Sequence, residues 1–165
     1  LDRYIMDGIE YIGINKELPE NSKYFSELEF WEVFSINNKT ELRNILSISL
    51  DTKVDNINII DNIKGEGNDG RRLLGKKLVF NITFYIKLKY VSAGFGSTIN
   101  ICEFSCNKFC DISVPSEIEG RKIEDLKRRK TIKIEVYTEN LEASILTEKD
   151  FKLLISNIVN LEVLE

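Results

Sequence analysis

Thirteen consecutive residues, LVFNITFYIKLKY from Leu78 to Tyr90, set the strongest constraint on how this chain folds. Leu78, Phe80, Ile82, Phe84, Ile86, Leu88 and Tyr90 fall on one parity, and Val79, Asn81, Thr83, Tyr85, Lys87 and Lys89 on the other. Successive side chains of a strand point to opposite faces, so this span predicts one long strand with a dry face and a wet face. A strand of that kind cannot bury its apolar row alone; it needs neighbours beside it and a second layer in front of it.

The same reading extends along most of the chain. VSAGFGST holds two glycines suited to a tight reversal, and TINICEF then resumes as a strand, which makes a β-hairpin. In TIKIEVYTENLEASIL the apolar parity changes phase near Thr138 to Asn140, predicting a bulge or turn there. FKLLISNIVNLEVLE carries apolar residues at even separations and reads as a strand or strand pair. RYIMDGIEYIGI, LEFWEVFSI and ILSISLDTKVDNINII are rich in β-branched and aromatic residues and supply three more strands. KTELRNIL and GRKIEDLKRRK are expected to form short helical turns. Residues 1–165 are thus expected to make a single all-β domain: a two-sheet antiparallel β-sandwich with one or two short helical connections. An aromatic strand, a polar helical piece and an alternating pair occur in the same order twice, a hint of internal duplication.

Composition narrows the chemistry. With 23 Lys and Arg against 27 Asp and Glu, the net charge of -4 gives no global attraction to nucleic acid or to an anionic membrane. No apolar run approaches the roughly 18 to 20 residues of a membrane-spanning helix, so no membrane insertion is expected. Histidine is absent, which removes Ser-His and Cys-His catalysis and the imidazole zinc ligands. Cys102, Cys106 and Cys110 recur every four residues, so a strand places all three on one face; their odd number argues against a disulfide framework. They read as free, covered thiols, consistent with a cytoplasmic protein. No cofactor or metal is expected.

Three motifs invite sharper readings. GRRLLGKK, Gly70 to Lys77, is one letter short of a nucleotide-binding P-loop, with Lys77 where Ser or Thr would hold magnesium. That chemistry needs a strand before the loop and a helix after it. Here the flexible-looking DNIKGEGND precedes it and the alternating strand follows, so the motif reads as a loop entering a strand, with Arg71, Arg72, Lys76 and Lys77 solvated. Arg121, Lys122, Lys127, Arg128, Arg129 and Lys130 form the densest basic cluster, but Glu117, Glu119, Glu124 and Asp125 interleave with it. It reads first as a solvated helical face and second as a docking surface for an acidic protein. In EFWEVF, Phe30 and Phe34 share one face while Trp31 and Val33 share the other. The stretch reads as core; an exposed Trp31 would instead be an interface anchor or a platform for a sugar ring.

The order of several segments resembles the SPOCS domain of proteins from spore-forming bacteria. Asn68 to Leu78 is similar to the family's NEG-x-K-L-x-G-x-K-L segment that opens its long strand, and Tyr90-Val91 to the Tyr-Val pair that ends it. Phe104, Phe109 and Pro115 match a Phe-rich strand closing on proline, and Tyr137-Thr138-Glu139-Asn140-Leu141 matches the element after it. The resemblance spans residues 30–146. Asn107-Lys108-Phe109 stands where the family has Pro-Phe, and Asn100 where histidine is common. The resemblance implies a non-enzymatic assembly module of the spore envelope, on the mother-cell side of the forming spore, recognising a protein partner such as a spore-coat scaffold protein; self-association of the chain is a further option. The reading from another class is a β-module that binds carbohydrate or cell-wall fragments.

Overall fold

The computed structural model describes residues 2–37, 40–93 and 98–165, and its architecture is all-β. Strands β1 (Arg3–Met6) and β2 (Ile9–Ile12) form a hairpin across Asp7 and Gly8, both at positive φ (52° and 78°), the backbone that two-residue hairpin turns require. β3 (Phe25–Ser35), β4 (Leu42–Glu66), β5 (Arg72–Ser92) and β6 (Ile99–Pro115) follow. A small hairpin of β7 (Glu117–Ile118) and β8 (Arg121–Lys122) then leads through helix α1 (Ile123–Arg128) to β9 (Ile132–Ile145) and β10 (Asp150–Val163).

Two main sheets result, ordered β1-β2-β4-β5-β6 and β3-β10-β9. Their apolar faces meet through rings. Phe30 lies 4.9 Å from Phe84, Phe34 lies 5.2 Å from Phe104, and Phe104 lies 5.5 Å from Phe151. The alternation from Leu78 to Tyr90 is realised residue by residue, with every member of the apolar parity buried and Tyr85, Lys87 and Lys89 exposed. β10 does the same with Phe151, Leu153, Ile155 and Val159. Each such side chain contributes roughly 1.5–3 kcal/mol on burial, so the two rows dominate the stability of the fold.

β4 and β5, at 25 and 21 residues, outrun the 11 to 14 residues of the facing strands. Their pairing absorbs this length with four register shifts, which let a long strand coil rather than run flat. The far end is covered by α1. Ile123 and Leu126, three residues apart and so on one helical face, are both buried in the core. Glu124 on the same helix reaches Lys76 of β5 at 3.0 Å, and Lys76 also pairs with Asp61 of β4.

The phase change anticipated near Thr138 is a bulge: the β9–β10 register slips between Ser156 and Asn157, leaving Glu139 without an opposite residue. Asn157 is buried there. It accepts a hydrogen bond from Thr138 Oγ1 at 3.0 Å and donates to the Leu28 carbonyl at 3.3 Å, so the irregular backbone keeps its polar groups satisfied.

Several expectations are corrected. KTELRNIL is not helical: β4 begins at Leu42, because Leu42 and Ile45 are buried on the sheet's inner face, and that burial outweighs local helix propensity. DNIKGE is strand through Glu66, held by pairing with Arg72 to Lys76. The larger sheet is not wholly antiparallel, since β2 runs parallel to β4. Among the described residues no helix separates β3 from β4, so the helical piece of the suggested duplication is missing from its first half, whereas α1 does form within GRKIEDLKRRK. The β5–β6 hairpin is present, with Val91 opposite Ile99, but Gly94 and Gly96 lie outside the described residues.

Candidate functional site

GRRLLGKK is architectural. Gly70 (φ 78°) closes a tight turn in which its amide donates to the Gly67 carbonyl at 3.0 Å, and Gly75 (φ 105°) sits opposite the register shift between Asp61 and Lys64. From Arg72 onward the segment is itself part of β5 rather than a loop leading into a helix, so it lacks the loop-to-helix junction that a phosphate cradle needs. Of its four cations Arg71 and Arg72 are exposed, as expected, but the two lysines are less solvated. Lys76 and Lys77 keep only 23% and 26% of their side-chain surface, Lys76 between Asp61 and Glu124 and Lys77 beside Asp111, which Arg71 also reaches at 3.3 Å.

The basic cluster lies on α1 and its flanks. Arg121 pairs with Glu119 and Arg128 with Asp125, while Lys122, Lys127, Arg129 and Lys130 are exposed with no ion pair among the described residues. Trp31 stands on a different element, β3. The three cysteines do share the inner face of β6, with Cys110 buried and Cys102 and Cys106 half-buried. Burial, then Glu32, pushes the Cys106 thiol up, and burial is also the largest influence raising Cys110. Neither has the depressed pKa of a nucleophilic thiolate. Among the described residues no group of three or more Cys, Asp or Glu converges to hold a metal ion.

Trp31 gives a different picture. β3 keeps strict alternation: Leu28, Phe30 and Phe34 turn inward, whereas Trp31 and Val33 are 62% and 44% exposed. Register across the three-stranded sheet places Trp31 beside Leu154 and Leu154 beside Glu142, with Glu29, Ser156 and Asn140 in the next outward row and Glu27, Ile158 and Tyr137 in the row beyond. The outer face therefore has an apolar centre of Trp31, Val33 and Leu154, with exposed carboxylates of Glu27, Glu29 and Glu142 toward one side and Lys152, which pairs with Val33 and Ser144, in the row on the other. Glu27, Glu29 and Glu142 make no ion pair among the described residues. A shallow hollow of about 450 Å³ beside the tryptophan is lined by Glu27, Glu29, Glu139, Asn140 and Ser156.

This acidic border was not legible in the sequence, because its members come from β3 and β9, more than a hundred residues apart, and β10 brings them into one plane. The parity of EFWEVF had already separated Trp31 from the core pair Phe30 and Phe34; what it lacked was whether a further layer covers that side. No family model, curated protein or solved structure matches the chain.

Proposed function

We propose that this chain is a non-enzymatic protein-interaction module that docks a partner bearing basic residues on the outer face of β3, β10 and β9. The observation that carries the reading is the exposure of Trp31 in an apolar patch flanked on one side by the unpaired carboxylates of Glu27, Glu29 and Glu142, with Lys152 a lone cation on the other. Tryptophan buries a large area at little entropic cost and is enriched among the residues that dominate binding energy. The flanking Glu27, Glu29 and Glu142 favour a cationic partner and disfavour an acidic one. The resemblance to SPOCS domains supports spore-envelope assembly as the setting and a coat-scaffold protein as the partner class. The basic face of α1 offers a second contact for an acidic stretch of the same assembly.

A photo-crosslinking amino acid in place of Val33, beside the tryptophan, tests this in sporulating cells. The expected result is a salt-sensitive crosslink that maps to a Lys- or Arg-rich segment of a spore-envelope protein and disappears in Trp31→Ala and Glu29→Lys backgrounds. Crosslinks to metabolic enzymes alone, or a yield unchanged by both substitutions, overturn it. A carbohydrate platform would give no protein crosslink and saturable binding of cell-wall fragments. Trp31 has the aliphatic Leu154 rather than a second ring at its side, which favours the protein reading.

A further inference from the structure

At the other end of the same sheet, a cavity of about 580 Å³ opens between the strap of residues 19–24, the β7–β8 turn and the last residues of β10. Asn160 and Trp31 lie opposite Phe25 and Leu154 respectively, six residues apart along the strands, so cavity and tryptophan are separated by about 20 Å. Three buried side-chain polar atoms lack a hydrogen-bond partner among the described residues: Ser22 Oγ, Asn62 Nδ2 and Asn160 Oδ1. Two of the three residues, Ser22 and Asn160, line this one cavity. Asn160 is only 5% exposed, and a buried carbonyl oxygen left without a donor costs about 1–3 kcal/mol. Asn157, the other asparagine among the buried residues, has its hydrogen bonds within the fold, whereas Asn160 keeps an oxygen for something else to complete.

The remaining lining defines what that is. Glu20, Glu117, Glu119 and Glu162 contribute four carboxylates and Lys23 a single cation. Glu119 is paired with Arg121, and Glu162 Oε1 accepts the Tyr137 hydroxyl at 3.1 Å, which fixes its orientation. The backbone amide of Leu161 donates to the Tyr24 carbonyl at 2.9 Å, tying the strap to β10 as a wall. The cavity is thus rich in acceptors and negative in charge, with the rings of Tyr24 and Tyr137 at its sides. A point-like ammonium would satisfy one or two of these acceptors. A planar guanidinium presents five N-H donors in a fixed fork, suited to an amide oxygen, a hydroxyl and a carboxylate together, and it stacks on aromatic faces.

We propose that this cavity is a binding site for a guanidinium group. The group comes either from a free guanidino compound or from an arginine side chain on a protein segment, and the proposal stands apart from the docking role of the Trp31 face. The test is titration of the folded chain, followed by NMR of the Asn160 side-chain amide and the Tyr137 ring, with methylguanidine and with a capped short peptide holding one arginine, against norleucine- and lysine-containing peptides as controls. Saturable shifts at both residues are expected from the guanidinium probes, at least tenfold weaker with lysine and absent with norleucine. Tighter binding of the peptide than of methylguanidine assigns a protein-borne arginine; the reverse assigns a free compound. Asn160→Leu should abolish the saturable shift at Tyr137 while raising Tm, because it removes an unsatisfied oxygen, and Glu162→Gln should weaken binding severalfold without altering the fold. No saturable shift with any guanidinium probe, equal binding of the norleucine peptide, or full binding by Glu162→Gln and a folded Asn160→Leu overturns the site.

Discussion

Lys108 of β6 donates a hydrogen bond to the Glu32 carboxylate of β3, joining the outermost strands of the two sheets across the flank where neither has another neighbour. Both side chains point inward, and the Lys108 ammonium also lies 4.7 Å from the centre of the Phe30 ring. Inward charges on edge strands are a known guard against edge-to-edge pairing, since a second strand added there would bury them.

Removing one partner leaves the other stranded beside Cys106 and Phe30. Lys108→Ala is expected to cost about 1–3 kcal/mol in urea denaturation. The paired replacement Glu32→Leu with Lys108→Leu is expected to recover most of that stability yet to aggregate, measured by light scattering, because the flank then carries no charge. A monodisperse double variant would show that the ion pair does not protect the edge.

Gly75 holds a backbone that other residues rarely adopt, and a Cβ there would meet the Lys64 Cε at 3.1 Å. Because the lysine chain can move, the dominant cost of Gly75→Ala is the positive φ, about 1–2 kcal/mol. Unfolding should register that loss, while calorimetry with ATP and magnesium shows no binding by either form; saturable ATP binding by the parent chain would restore the P-loop reading of GRRLLGKK.

The contact of α1 with the β4–β5 ribbon is expected to weaken in acid. Glu124 is held below the usual glutamate range, first by its own backbone amide and then by Lys76. A depressed folded pKa contributes stability that is present above the unfolded value and lost as pH falls through the folded one. Carbon-detected NMR of the Glu124 carboxyl should give a midpoint below that of a free glutamate, returning toward it in Lys76→Met. An unchanged midpoint in that variant would remove Lys76 as a cause.

Cys106 and Cys110 titrate above a free thiol, mainly through burial. At neutral pH both are expected to alkylate with iodoacetamide at least tenfold more slowly than a free thiol, since the thiolate is the reacting form. Raised folded pKa values also mean that their contribution to stability is complete below the unfolded thiol pKa and fades as pH climbs through the folded values. Fast modification of native protein at Cys106 would mark an accessible, activated thiol instead.

Along each strand the amino-acid order alone settled which face is dry. The parity of Leu78 to Tyr90, the split of Trp31 from Phe30 and Phe34, and the phase slip at Thr138 are local facts about neighbours two residues apart, and the pleat converts them directly into direction. The short helix at Ile123 was legible for the same reason, as apolar residues three apart on one turn. Thr40 to Leu46 was misread because helix and strand propensities there are close and the deciding term, burial of Leu42 and Ile45, depends on residues far along the chain. The tertiary structure alone decided what lies opposite what. It left the second sheet's outer face uncovered around Trp31, set carboxylates of β3 and β9 beside it, and enclosed Asn160 beneath the strap that carries Ser22. Those arrangements follow from strand order and register, which are set by packing over the whole molecule rather than by any one segment.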